Sequence, residues 1–193
     1  IHESWIEQYE MHKSTGSLPA GFVLNMLTEL RHHCGLLKSR AAAEWARDYH
    51  ITTGKPIIIF THHRDVLQSV AEHLKEIAPP NTKGSIINGE TPSHKRQDIV
   101  DDFQEGRIQF LICSTIAAKE GLTLTEADTV LFVEREWVPG WEEQAEDRVN
   151  RIGQEAETVH AIYLSVVNTI DTKFNLGVAD NTLNICASRD VRY

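Results

Sequence analysis

Gly54-Lys55-Pro56-Ile57-Ile58-Ile59-Phe60-Thr61 is the most informative stretch of the chain for its architecture. A Gly-Lys-Pro break precedes four apolar residues, three of them β-branched, with no polar residue alternating between them. A strand of that composition is buried on both faces, as strands of parallel sheets are. Residues 64–78 follow with Val66, Leu67, Val70, Leu74 and Ile77 at helical spacing, and Pro79-Pro80 ends the run. The alternation then repeats. A short strand is expected at 85–87, then a helix capped by Ser93, carrying Ile99, Val100 and Phe103 and stopped at Gly106. Further strands are expected at 110–114, 129–134 and 159–164, with a helix over about 140–150 between the last two. Short buried strands alternating with amphipathic helices predict a three-layer α/β domain, a parallel sheet flanked by helices.

Upstream, the chain to about residue 18 is polar, with Trp5, Ile6 and Tyr9 as its few large apolar groups. Phe22, Leu24, Leu27 and Leu30 then recur near one helical turn. Gly35 interrupts, and Leu37, Ala41, Trp45 and Tyr49 follow four apart, so two helices are expected. Residues 1–50 read as a helical lead-in, 51–177 as the α/β lobe and 178–193 as a tail.

Composition sets the bounds. The 193 residues suit one domain, and 41% hydrophobic with 24% charged residues exclude collagen, coiled coil and wholesale disorder. Nineteen Lys and Arg against twenty-eight Asp and Glu give a net charge of −9, which opposes broad non-specific attraction to nucleic acid. Cys34, Cys113 and Cys186 are odd in number and far apart, so reduced thiols in a cytoplasmic protein are expected; the chain is also expected to be a monomer. No apolar run reaches bilayer length and no secretion signal is visible, so no membrane partner is expected. The start at Ile1 suggests a piece of a longer protein.

In an open parallel sheet, ligands bind beyond the carboxyl ends of the strands. The residues there are Thr61-His62-His63, Asn88-Gly89-Glu90-Thr91, Ser114-Thr115, and Glu134 through Trp137. All carry hydrogen-bonding groups, although turns and caps use the same residue types. The strongest local signal is Gln144-Ala145-Glu146-Asp147-Arg148-Val149-Asn150-Arg151-Ile152-Gly153-Gln154. Arg148 and Arg151, three apart at a helix end, would project together, and a phosphate between them relieves their repulsion. Read alone, the pair is better explained as surface arginines bridged to Glu146, Asp147 or Glu155.

The whole string is more specific. Gln-Ala-x-Asp-Arg-x-x-Arg-Ile-Gly-Gln resembles the sixth motif of Swi/Snf-type DNA translocases of helicase superfamily two. The likeness extends along the chain. Ile57 to Thr61 looks like the family's fourth motif, and Asn88-Gly89-Glu90-Thr91 is similar to its Asp-Gly-x-Thr turn, with Arg96 in the helix that follows. Ser114-Thr115-x-Ala117-Ala118-x-x-Gly121-Leu122-Thr123-Leu124 looks like the fifth motif. Trp137-Val138-Pro139-Gly140 stands where the family has Trp-Asn-Pro, and Thr169-Ile170-Asp171 resembles the start of its bracing helix. Counted from Leu27, the resemblance covers roughly residues 27–175, and its wording looks closest to the annealing-helicase-like, distal branch. Asn88 for Asp, Val138 for Asn, Ala118 for Gly and the carboxylate of Glu120 are departures from the pattern.

The resemblance implies a RecA-like, P-loop NTPase-type helicase C-terminal domain. In that family two lobes close on ATP and Mg²⁺, held mainly by the first lobe, while the second supplies arginines to the γ-phosphate. It implies Arg151 as arginine finger, Arg148 as its partner and Gln144 at the same interface, with Gly121, Glu120 and Asp147 beside the nucleotide. Thr61, His62, Asn88, Gly89, Thr91, Arg96, Ser114, Thr115 and Trp137 would contact the backbone of double-stranded or forked DNA. This chain has no Gly-x-x-x-x-Gly-Lys-[Ser/Thr]: Pro56 follows Gly54-Lys55 and Tyr49 stands where the first Gly would be. Nor does Asp-Glu-x-His follow an apolar strand. The first lobe of the same polypeptide is therefore the expected partner, and this lobe alone is expected to be inactive. Such a protein acts where DNA is, in the nucleoid of a prokaryote or the nucleus of a eukaryote.

Other readings compete. A DEAD-box RNA helicase lobe would carry His-Arg-x-Gly-Arg-x-x-Arg, which is absent. A catalytically silent RecA-like lobe serving as an interaction module is the alternative, against which the intact Arg148 and Arg151 weigh. An unrelated nucleotide-binding domain would need a Gly-rich strand-to-helix loop, and a hydrolase triad on Ser114 would need a nucleophile elbow. His32-His33 and His62-His63 invite a metal, but adjacent histidines point apart and no pair at ligand spacing accompanies them, so no metal is expected.

Overall fold

The computed structural model describes residues 2–16, 21–118, 122–136, 139–167 and 169–171. Two helices, α1 (His2–Ser14) and α2 (Phe22–Thr53), lead into β1 (Ile57–Thr61), α3 (Arg64–Ile77), β2 (Gly84–Ile87), α4 (Ser93–Gln104), β3 (Phe110–Ser114), α5 (Thr115–Ala118), β4 (Thr129–Phe132), α6 (Pro139–Glu146) and β5 (His160–Tyr163). The five strands form one parallel sheet in the order β2-β3-β1-β4-β5. Every residue of β1 is buried, as its unbroken apolar sequence requires, while the edge strands β2 and β5 are partly exposed.

Because side chains alternate along a strand, β1 feeds two cores. Ile58 and Phe60 pack with Val100, Phe103, Leu111, Val130 and Phe132 on the face covered by α4. Ile57 and Ile59 pack with Ala42, Ala43 and Ala46 of α2, and with Val66, Val70 and Leu74 of α3, on the other. This is the three-layer arrangement expected. Cys34 and Cys113 are buried free thiols, and burial pushes the Cys113 thiol up to about 12, so it is an apolar core group. None of the described helices is long and apolar enough to cross a membrane.

Several local expectations change. Residues 22–53 form one continuous helix; Gly35 does not break it. A Cβ at Gly35 would lie 2.7 Å from a carboxylate oxygen of Glu134 and 2.9 Å from Val66, so the glycine allows close approach between layers. The break falls at Gly54, which ends α2 in the left-handed conformation at φ 71° and donates its amide to His50. The second half of α2 is thus a core layer, and the helix runs on through residue 50. Residues 2–14 are helical despite their polar sequence. Ser93 is the first residue of α4, with Pro92 before it. The expected helix over 140–150 ends at Glu146, and β4 ends at Phe132, although Val133 still donates its amide to the Phe60 carbonyl.

Candidate functional site

At the carboxyl edge of the sheet the strands deliver 62–63, 88–91, 114–115 and 133–136 to one side of the molecule, and α6 follows the last of these. The 88–91 turn is self-supporting. The Asn88 side-chain oxygen accepts the Glu90 amide at 2.9 Å, and the Thr91 hydroxyl accepts the Asn88 amide at 3.0 Å. Arg96 is buried under this turn and donates to the carbonyls of Thr91 and Asn88 at 3.1 and 3.4 Å. Gly89 stays exposed at the tip, and Thr91 is half-buried. The Ser114 hydroxyl accepts the Ala117 amide at 3.2 Å and caps the short α5.

Three residues expected on the DNA face lie inside. Thr61 and Thr115 are fully buried and Arg96 is 6% exposed. The Thr115 hydroxyl donates to Glu136, with the Thr61 carbonyl 3.3 Å away, while the Thr61 hydroxyl finds no partner among the described residues. The reason is the register: Thr61 pairs with Ser114 at the centre of a sheet covered on both faces. His62, Asn88, Gly89, Thr91 and Ser114 remain at the surface or partly so. Trp137, Glu120 and Gly121 lie outside the described residues.

Beneath this edge runs a belt of buried charge. One oxygen of Glu134 accepts the amides of His62 and His63, both at 2.9 Å, and the other meets His63 Nδ1 at 2.6 Å. Glu134 thereby caps the N-terminus of α3, where His63 makes no side-chain cap of its own. Glu136, fully buried, meets His62 Nδ1 at 2.9 Å. That hydrogen bond raises the His62 pKa; burial alone would raise the Glu136 carboxyl, but His62 and Thr115 hold it below its ordinary value. Arg31 reaches in from α2 to the Arg135 carbonyl, and its guanidinium faces Glu136 and Glu134. Lys38 pairs with Asp171 at 2.6 Å, tying the 169–171 segment back to α2. The two histidine pairs do not point apart. His63 stacks on His32 at 4.5 Å and meets His62 edge-on at 4.7 Å. Nitrogens of His32, His62 and His63 go to carboxylates, with His32 on Asp65 at 2.5 Å, whereas His33 Nδ1 meets the Glu29 carbonyl at 2.9 Å. Glu29, His32 and His33 also bring potential ligand atoms within 4.8 Å of one another on the surface.

The sixth-motif residues behave differently. Gln144, Asp147, Arg148, Asn150 and Arg151 line a shallow, open recess of about 300 Å³. Gln144 sits on α6, whereas Arg148 and Arg151 lie in the turns after it, so turns and not a helix end bring the two arginines together. The Arg151 guanidinium is exposed and donates to the Thr123 hydroxyl at 3.1 Å. The Arg148 carbonyl accepts the Leu124 amide at 2.9 Å, and Gln154 donates to the carbonyls of Val149 and Ala127 at 3.1 and 2.8 Å. Buried Val149 holds the loop to the core from inside. The string therefore encodes both a recess and the bonds that shape it.

The helicase conserved C-terminal domain matches residues 40–153, more than half of the chain. The chain belongs to that family. Its relatives place it on the Swi/Snf branch of superfamily two, as the second, RecA-like lobe. It is 35% identical over 150 residues to a SWI/SNF-related matrix-associated actin-dependent regulator of chromatin subfamily A-like protein 1 homolog of Caenorhabditis elegans, covering 75% of this chain and 21% of that one. It is 33% identical over 173 residues to the DNA annealing helicase and endonuclease ZRANB3 of Bos taurus, covering 89% and 16%. Among solved structures, the C-terminal part of the Fun30 ATPase domain superposes with a TM-score of 0.64 at 26% identity, covering 70% of this chain and 43% of that one. The chain spans about a fifth of the length of the curated relatives it matches.

The recess residues stand out in the sequence as one contiguous string, and the belt does not. Glu134 through Trp137 follow a strand in the sequence, but nothing in Glu134-Arg135-Glu136 distinguishes two buried carboxylates from a solvated turn. The available signal was position: charges directly after a fully apolar strand, with no Gly, Pro or Asn to turn them outward.

Proposed function

We propose that this lobe is the second half of an ATP-dependent DNA translocase motor, completed by a first lobe that holds ATP and Mg²⁺. The observation that carries this is the open recess where Gln144, Arg148 and Arg151 meet. An exposed Arg151 guanidinium with the half-buried Arg148 beside it in the same recess is suited to a phosphoryl group presented from outside, as a second lobe closing on a nucleotide would present it. Arg151 is then the finger that offsets charge developing on the γ-phosphate, Arg148 its partner, and Gln144 and Asp147 the polar rim that registers closure. Of the residues outside the described regions, Gly121 and Glu120 stay assigned beside the nucleotide and Trp137 beside DNA.

DNA tracking in this reading falls to His62, Asn88, Gly89, Thr91 and Ser114, which offer backbone and side-chain donors to phosphates and read no sequence. Arg96, Thr61 and Thr115 support that face from within. The net charge of −9 fits a lobe that contributes contacts to a shared track and does not grip DNA alone.

The test is turnover with and without the other lobe. The 193-residue chain alone should hydrolyse no ATP and bind duplex weakly and with strong salt dependence. The polypeptide carrying both lobes should show duplex-stimulated hydrolysis. Turnover by the isolated chain, or none by the two-lobe protein, overturns the reading.

A further inference from the structure

Helix α6 carries Gln144 to the recess, and a buried carboxylate holds it beside its apolar contacts. Among its described side chains, Ala145 and Glu142 are the buried ones, and Ala145 offers only a methyl. Half-buried Trp141 and Glu146 flank them, and the best-defined polar contacts are those of Glu142. The Glu142 carboxylate, 3% exposed, accepts Arg135 Nη2 at 2.7 Å and Arg135 Nε at 3.0 Å, and it accepts the Glu136 amide at 2.7 Å. The Arg135 guanidinium also lies over the Tyr163 ring, 4.1 Å from its centroid. The Tyr163 hydroxyl donates to Glu146, the last residue of α6. A closed circuit thus runs from the segment after β4, through two points on α6, to β5 and back.

Bidentate guanidinium–carboxylate pairing fixes angle as well as distance, which a single methyl in a groove does not. Glu142 lies two residues before Gln144 and six before Arg148, so rotation or sliding of α6 about this contact moves the recess directly. We infer that Arg135 and Glu142, seconded by Tyr163 and Glu146, are positioning residues that set α6 and with it the nucleotide-facing recess of Gln144, Arg148 and Arg151. The inference rests on the motor reading for its consequence and on the geometry of α6 for its cause.

Both links are measurable. In the 193-residue chain, Glu142→Gln should speed amide exchange of α6 by about tenfold while exchange in β1 and β3 is unchanged, because it removes one charged anchor and no core volume. Unchanged exchange in α6 overturns the inference, whatever the ATPase does. In the two-lobe protein, Glu142→Gln should lower duplex-stimulated kcat by about tenfold with the KM for ATP altered less than about twofold, and Arg135→Lys, which keeps the charge and loses the fork, should fall in between. Combined with Arg151→Ala, Glu142→Gln should add almost nothing, since it acts through the finger. A full multiplicative loss in the double variant contradicts positioning and indicates general destabilisation. If Arg151→Ala alone is silent, the motor reading fails, and the exchange result still decides whether Glu142 sets α6.

Discussion

Two polar regions lie close together in this lobe and are built on opposite plans. The belt around Glu134 and Glu136 is buried, and its charges face the protein: the His62 and His63 amides, the histidine rings, Thr115 and Arg31. The recess around Arg148 and Arg151 is open, with an exposed guanidinium on its rim. Buried charges hold elements in place at a cost in desolvation, whereas exposed charges at a rim remain available to an outside ligand. The difference teaches that polarity at the carboxyl edge of a parallel sheet is not by itself a ligand site. What separates the two regions is burial: the belt carboxylates are closed off inside the fold, whereas Arg151 stands on an exposed rim.

Substitutions should separate the regions by what they damage. The largest loss of stability is expected at the buried pair of Lys38 and Asp171. Lys38→Met strands the Asp171 carboxylate, and chemical denaturation should show about 3–5 kcal/mol of destabilisation. Arg151→Ala in the recess should change the same measurement by less than about 1 kcal/mol. Equal losses would erase the distinction. Gly35→Ala comes next. Its methyl would crowd Glu134 and Val66 at 2.7 and 2.9 Å, and overpacking of this kind costs about 1–3 kcal/mol. A neutral or stabilising Gly35→Ala would show that α2 has room to move away from the belt.

The smallest expected effect is a slope with pH. His62 is raised by its hydrogen bond to Glu136, so its contribution to stability is fully present below its unfolded value of 6.5 and is lost as pH rises through the higher folded value. Glu136 is lowered, so its contribution is present above 4.5 and is lost as pH falls through the lower folded value. Melting temperature should therefore decline above about pH 6.5, and His62→Gln should flatten that decline. The same slope in the variant would mean that another group carries it.

Strand and helix order were legible because β1, β3 and β4 are short apolar runs between punctuated helices, and the recess was legible because its residues are contiguous in sequence. The belt was not. Its members come from α2, the 62–63 loop, α5 and the 134–136 segment, and only the parallel crossovers bring them together. Gly35 misled for the same reason. A glycine inside an apolar period reads as a break, while its purpose is a contact with Glu134, ninety-nine residues away in sequence. Thr61 and Thr115 fit the expected DNA-facing motifs, yet the depth of each residue depends on register across three strands.

One comparison reaches the proposed chemistry itself: duplex-stimulated ATP turnover by the two-lobe protein, intact and with Arg151→Ala. The guanidinium lies on the rim of the recess and outside the core, so the variant should fold and bind DNA as before while turnover falls roughly a thousandfold. Turnover within a few fold of the intact protein would contradict the assignment, and Arg151 would then be a surface residue held by Thr123.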